Sequence, residues 1–311
     1  VERIAIIGAG PAGLSAAIYA ARAGLNPVVV APVSGGQLQG KGVSVENYPG
    51  VAGDTGPGIV AKMTKQAIES GALFFQEEVL EIDLSSRPFS IRTNSTSFRS
   101  HALILATGAN SRWLGVSGEH RFRGGGVSSC ATCDGFLFKN QDVVVIGGGD
   151  TAMEDALVLA RTSRSVTVVH RRDTFRASRV LAQRVLEHPN IEIKWNTTLQ
   201  SFEGKTIAAT EDLPESDILT HVVLRDENTM KTSELVVSGA FVAIGHDPNT
   251  NLVIDQVECN SEGYLKTIET STRTSVEGFF AAGDVADHIY RQAVTSAGTG
   301  ARAALDAERW L

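Results

Sequence analysis

The chain has 311 residues, 42% of them hydrophobic, which is enough apolar material for the cores of two domains and excludes a disordered or fibrous chain. Its net charge of -7 comes from interspersed acids and bases, and no apolar stretch approaches the roughly 18 residues that cross a bilayer, so neither nucleic acid nor a membrane is an expected partner. Three cysteines are too few for a disulfide scaffold, and the start at Val1 rather than methionine reads as trimming or processing.

Arg3 to Gly8 is a short apolar run of the buried-strand type, followed by Gly8-Ala9-Gly10-Pro11-Ala12-Gly13 and the Ala-rich stretch Leu14 to Ala23. Strand, tight loop and helix follow in that order. Gly8 permits the sharp turn, Gly10 lets backbone amides approach a pyrophosphate, and Gly13 lets helix and strand pack closely. Alone the pattern is weak, but its context favours a nucleotide site over a merely tight turn. The next strand, Pro27 to Val30, ends at Ala31-Pro32 without the acid that takes the ribose hydroxyls about 20 residues after the glycines. That argues against NAD in this loop and leaves FAD, with its ribose held otherwise, open. The Pro- and Gly-rich stretch from Tyr48 to Gly58 reads as a loop.

In Cys130-Ala131-Thr132-Cys133-Asp134-Gly135 the second cysteine lies fourteen residues ahead of a second glycine loop, Gly147-Gly148-Gly149-Asp150-Thr151-Ala152. Two residues between the sulfurs allow a small ring that opens and closes readily, which reads as a redox pair in a reducing compartment. Zinc would need two further ligands, and Cys259 is isolated, so no metal is expected and Cys259 is an ordinary thiol. His246 and His288 read as packing or hydrogen-bonding residues. Asp134 has two compatible readings, a proton carrier for sulfur and an N-cap of the following segment. Phe136-Leu137-Phe138 is open between an apolar docking surface and core packing.

The strand Asp142 to Ile146 leads into the second loop and a helix from Met153 to about Thr162. The strand Ser165 to Val169 then ends at His170, and Arg171, Arg172 and Arg176 stand where the carboxylate of an NAD site belongs. Guanidinium groups there would pair with the 2'-phosphate that NADP has and NAD lacks; the plainer alternative is a solvated basic patch. Phe241 to Gly245 and Gly278 to Asp284 are strand-to-glycine turns that close a flavin domain. The expected fold is α/β, with two Rossmann-like dinucleotide-binding domains, the second inserted into the first, of the three-layer β/β/α type. Residues 1–113 and 244–311 would form one discontinuous dinucleotide-binding domain, and 114–243 an inserted one carrying the cysteines.

From Ile4 to Leu311 the chain resembles the low-molecular-weight thioredoxin reductases, which implies that residues 1–113 and 244–311 are an FAD-binding domain and 114–243 an NADPH-binding domain. The markers are the first glycine loop, Gly35-Gly36-Gln37-Leu38, Val45 to Gly50, Ala106-Thr107-Gly108-Ala109, Cys130 to Gly135, His170 to Ala177, Ala281 to Val285 and Arg291-Gln292-Ala293. The resemblance implies FAD contacts at Gly8, Gly10, Ala12, Gly13, Gln37, Asn47, Asp284, Gln292 and Ala293, although Asp284 also reads as a turn residue and Asn47 as a loop cap. It implies NADPH contacts at Gly149, Asp150, Thr151, His170, Arg171, Arg172 and Arg176. Electrons would pass from NADPH through FAD to the Cys130-Cys133 disulfide and on to thioredoxin. Cys133 would meet the flavin, Cys130 would attack the partner, and the domains would rotate during turnover. A homodimer in the cytoplasm, or in an organelle, is the accompanying expectation. Two departures stand out: Gln39-Gly40-Lys41-Gly42 replaces a run of threonines, and Gly125 replaces a basic residue. A dithiol oxidase on the same scaffold is the nearest rival. A ferredoxin-NADP reductase or a flavin-binding sensor would have no use for the cysteines, and the flavoprotein component of alkyl hydroperoxide reductase carries an additional N-terminal redox module.

Overall fold

The computed structural model describes residues 1–40, 44–51, 53–209, 215–268 and 270–311, and the chain forms two compact units. The first comprises 1–110 and 247–311, the second 111–246, so the chain crosses at 110/111 and 246/247 rather than at the 113/114 and 243/244 read from the sequence.

In the first unit β1 (Glu2–Ile7), β2 (Val28–Val30), β3 (Leu73–Phe75), β4 (Val79–Asp83), β5 (Phe89–Thr93) and β6 (Ser97–Leu105) lie in the order β3-β2-β1-β6-β5-β4, and Phe279–Ala281 pairs with β6. β6 serves two layers. Its start pairs antiparallel with β5, and from Ala102 to Leu105 it runs parallel to β1. Alternation of side chains along these buried strands then sorts the core. Ile4, Ile6 and Ile104 pack with α1 (Pro11–Arg22) and the C-terminal helix Ala293–Trp310 on one face; Ile7, Leu103 and Leu105 pack with Ile82, Phe89 and Ile91 on the other. The two helices meet closely because small residues face each other: a Cβ on Gly300 would lie 2.0 Å from the Ala12 carbonyl oxygen.

The expectation of a loop from Tyr48 to Gly58 needs correction at its end, and Ala52 within it lies outside the described residues. Gly56-Pro57-Gly58 is the first turn of α2 (Gly56–Glu69), capped by Thr55, whose Oγ1 accepts the Gly58 N–H at 3.2 Å. Proline is tolerated there because the first turn has no intrahelical acceptor for its missing N–H.

In the second unit β7 (Val127–Ser128), β8 (Asp142–Gly147), β9 (Ser165–Val169), β10 (Ile191–Lys194) and, after β11 (Thr197–Ile207), β12 (Ser216–Asp226) and β13 (Thr232–Val236), β14 (Gly239–Ala243) complete the set. β7-β14-β8-β9-β10 is a parallel sheet and β11-β12-β13 an antiparallel one. The continuous apolar run of β8 reflects burial on both faces. Val143 and Val145 pack with α4 (Asp150–Leu159), while Val144 and Ile146 pack with Leu199, Phe202 and Val222 of the antiparallel sheet. Each unit is thus a β/β/α sandwich, and in each the glycine loop leaves the C-terminal end of a central parallel strand. That is where open α/β sheets bind ligands.

Candidate active site

Cys130 is the N-cap residue of α3 (Ala131–Asp134), a single turn that begins three residues after the end of β7. Cys130 and Cys133 are joined as a disulfide with their Cα atoms 5.3 Å apart. Ser128, 8% exposed, donates its hydroxyl to Asp134 Oδ2 at 2.5 Å and accepts the Cys130 N–H at 3.1 Å. One buried hydroxyl therefore places the carboxylate and anchors the backbone of the first cysteine. Asp134 makes no side-chain cap bond to the following turn, Gly135–Phe138, so the N-cap reading is set aside in favour of this link. Phe136 and Leu137 are 49% and 46% exposed, whereas Phe138 turns inward, edge-on to Phe241 with ring centroids 5.5 Å apart. The three residues divide between the two readings open to them.

In the second glycine loop Gly147 sits where a Cβ would be 2.3 Å from the Ala243 carbonyl oxygen, and Gly149, the N-cap of α4, has open space around it. Asp150 and Thr151 are the first residues of that helix. Arg171, Arg172 and Arg176 are exposed and make no ion pair or side-chain hydrogen bond among the described residues. His170 is different. It is 6% exposed, its ring occupies the space beside Gly148, and Nε2 lies 2.9 Å from the Thr174 carbonyl oxygen. Burial holds its pKa below the ordinary value, with Arg172 and Arg176 adding to the effect. His170 thus supports the arginine segment from beneath, with Phe175 and Trp195 packed beside it at 5.6 and 6.1 Å. A helix N-terminus opened by glycine next to three unpaired guanidinium groups fits a dinucleotide carrying an additional phosphate.

In the first unit Gly8 has φ +107 and a Cβ there would lie 2.3 Å from the Ala106 carbonyl oxygen, so only glycine makes this turn. A Cβ on Gly13 would meet the Gly8 carbonyl oxygen at 1.9 Å, while the space over Gly10 is open to within 4.0 Å. Gly283 packs against Ala12, and Asp284 beside it accepts the Ser296 hydroxyl at 2.7 Å. Burial raises the Asp284 pKa, the Ser296 hydrogen bond opposing. Gln292 is the N-cap of the C-terminal helix in a reciprocal capping box with Thr295, Ala293 begins that helix, and Asn47 Nδ2 donates to Gln292 Oε1 at 3.3 Å. Gln37 Nε2 donates to the Ala109 carbonyl oxygen. Two helix N-termini, an open glycine and a buried carboxyl are the groups that a pyrophosphate and its ribose-like chain need, so these residues fit FAD.

A family model for pyridine nucleotide-disulphide oxidoreductases matches residues 2–300. The thioredoxin reductase of Rickettsia bellii is 48% identical over 312 residues, covering 99% of this chain and 98% of its own, and that of Streptomyces clavuligerus is 46% identical, covering 100% and 94%. The chain belongs to the pyridine nucleotide-disulphide oxidoreductases, among the thioredoxin reductases. Among solved structures, thioredoxin reductase from Giardia duodenalis superposes with a TM-score of 0.92 at 40% identity, covering 99% of this chain and 98% of that one. As a member of that family the chain is an oxidoreductase, and the Cys130-Cys133 pair is its disulfide-forming element.

Several contributors carry no signal in the sequence. Ser128 precedes the cysteine motif and looks like any small residue, Ser296 is one small residue within the C-terminal helix, and Trp195 and Asn249 lie far from the motifs they support. Asn249 accepts the Thr107 hydroxyl on its carbonyl and donates Nδ2 to the Thr107 carbonyl, fixing the Ala106 to Ala109 element from a position 142 residues away.

Proposed function

We propose that the chain is an NADPH-dependent thioredoxin reductase, carrying electrons through FAD and the Cys130-Cys133 disulfide to the disulfide of thioredoxin. The observation that carries the reading is the placement, in one unit, of a bonded cysteine pair with a positioned carboxylate and a glycine loop flanked by three unpaired arginines. FAD would be held by Gly8, Gly10, Ala12, Gly13, Gln37, Asn47, Asp284, Gln292 and Ala293, and NADPH by Gly149, Thr151, Arg171, Arg172 and Arg176, with Asp150 and His170 beside them. When bound, the flavin supplies an electron pair drawn as hydride from the nicotinamide.

Opening the Cys130-Cys133 bond takes two electrons and one proton and gives one thiol and one thiolate. Asp134, fixed by Ser128 immediately after Cys133, is the group that carries the proton. The Cys130 thiolate attacks one sulfur of the partner disulfide, and the other partner sulfur leaves as thiolate. Cys133, deprotonated, then attacks Cys130, re-forming the disulfide and releasing the reduced partner. The exposed Phe136 and Leu137 offer that partner an apolar contact beside the cysteines. The same disulfide must face flavin at one step and a protein at another, which is why rotation between the units belongs to this reading, as does the association of two copies that the resemblance brings. A dithiol oxidase would have no need of Arg171, Arg172 and Arg176.

The test is NADPH oxidation with and without thioredoxin, for the wild type and Cys130→Ser. Thioredoxin-dependent turnover is expected from the wild type, and the variant should fall by about a thousandfold or more while its flavin is still reduced by NADPH. Turnover that survives the substitution, or that uses NADH as readily, would overturn the reading.

A further inference from the structure

The second glycine loop carries a carboxylate where anionic phosphates are expected, which by charge alone opposes binding. Its hydrogen bonding gives it another task. Asp150 Oδ1 accepts the Ser178 N–H at 2.6 Å, at the residue that begins α5 (Arg179–Leu186) and directly beyond the arginine segment. Ser178 is the N-cap of that helix and makes no side-chain cap bond, so the Asp150 carboxylate meets the positive end of the helix from a different element.

The arginine segment is held unequally on its two flanks. At its start, His170 N–H donates to the Lys194 carbonyl, Thr197 N–H to the His170 carbonyl and Asn196 N–H to the Arg172 carbonyl, at 3.0, 3.0 and 3.1 Å. Its far flank is tied to the glycine loop by two bonds, Arg176 N–H to the Gly148 carbonyl at 2.7 Å and Ser178 N–H to Asp150 at 2.6 Å. Between the flanks the segment is exposed apart from Phe175.

We propose that Asp150 is a positioning residue for recognition of a 2'-phosphorylated nucleotide: its carboxylate latches the arginine segment to the glycine loop and so sets where Arg171, Arg172 and Arg176 stand relative to the bound phosphates. The inference rests on the NADPH reading. It assigns to Asp150 an action through its neighbours rather than on the nucleotide, and it explains why an acid is tolerated in this loop.

The test uses the purified flavoprotein and two fragments, adenosine 2',5'-bisphosphate and adenosine 5'-monophosphate, with dissociation constants from titration calorimetry. The ratio of the two constants reports recognition of the 2'-phosphate. Asp150→Ala should lower that preference roughly tenfold, the effect of one hydrogen bond. Asp150→Asn keeps an acceptor and removes the charge, and should restore the preference to within about twofold of wild type. Ser178→Pro removes the donor from the other end at a residue whose φ of -54 suits proline, and should reproduce the loss with Asp150 intact. Hydrogen exchange at the Ser178 amide should quicken in Asp150→Ala and not in Asp150→Asn. A preference that is unchanged or strengthened in both Asp150→Ala and Ser178→Pro would overturn the latch while leaving the NADPH reading standing. A wild-type protein that does not distinguish the fragments would overturn that reading and the latch with it.

Discussion

At Asp284 the proposed flavin site and the stability of the fold meet in a single side chain. Its carboxyl is buried beside Gly283 with the Ser296 hydroxyl as partner, and burial raises its pKa above the ordinary 3.8. A group whose folded pKa is raised favours the fold most when protonated, so its contribution is present in acid and is lost as pH rises through the raised value. Asp284→Asn keeps an acceptor for Ser296 and removes the ionisation. The flavin-free variant should melt higher than wild type at neutral pH, by the equivalent of about 1 kcal/mol, and the gap should close as pH falls toward about 4. Flavin retention should move the other way, because the carboxylate is lost from the site. Melts across pH and flavin absorbance per chain check both; a gap that does not vary with pH would remove burial of the charge as its cause. Ser128 belongs at this scale too, one hydroxyl serving a carboxylate and a cysteine amide at once.

Among elements, the turn Gly135–Phe138 after the cysteines shows how one short segment is shared between surface and core. Phe138 lies against Phe241 and the bare Cα of Gly239, while its two predecessors are exposed. Replacing Phe136 and Leu137 together by alanine should raise KM for thioredoxin by about tenfold and spare reduction of a small disulfide reagent. Phe138→Ala should give the opposite pattern, a loss of about 3 kcal/mol in unfolding free energy with KM little changed. Steady-state kinetics with both substrates and denaturant melts separate the two. Gly125 is likewise fixed by its element rather than by chemistry. A Cβ there would lie 1.9 Å from the Asp217 carbonyl oxygen, and its own carbonyl accepts the Leu219 N–H at 2.8 Å. A side chain at this point, basic or otherwise, has no room beside β12. Of the other departure, Gln39 and Gly40 lie in a 3-10 turn, and Lys41 and Gly42 fall outside the described residues.

For the whole molecule the decisive fact is that the chain leaves the first unit at Asn110 and returns at Asp247, with the cysteines, the arginines and the second glycine loop all between. Each crossing is secured on its own side: Asn249 N–H donates to the Gly108 carbonyl within the first unit, and Arg112 N–H donates to the Gly245 carbonyl within the second, both at 2.9 Å. If electrons must reach the disulfide at one step and leave it for a protein at another, freedom between the units is required. A covalent cross-link joining the units should abolish thioredoxin-dependent turnover while preserving one half-reaction, read as flavin bleaching by NADPH or as its reoxidation by the disulfide. Undiminished turnover in a fully cross-linked sample would refute the requirement.

Both glycine loops, the CxxC pair and the arginine cluster were legible because each acts through consecutive residues: a pyrophosphate needs adjacent amides at one helix start, and a small disulfide ring needs two sulfurs a turn apart. The layer order of the sandwiches was legible from the resemblance, but the crossings were not, since pairing such as Arg112 N–H to the Gly245 carbonyl, which carries the second unit past both expected crossings, leaves no mark in the sequence. The loop assigned to Gly56-Pro57-Gly58 failed because helix breakers at a first turn look like breakers anywhere until the cap from Thr55 is seen. Residue types at close spacing thus carried by themselves the family and the redox-active cysteine pair. The partners that aim those groups, Ser128 for Asp134, Ser296 for Asp284 and Ser178 for Asp150, were decided by tertiary structure alone, because a hydrogen bond is made by distance in space and leaves no periodicity in the chain.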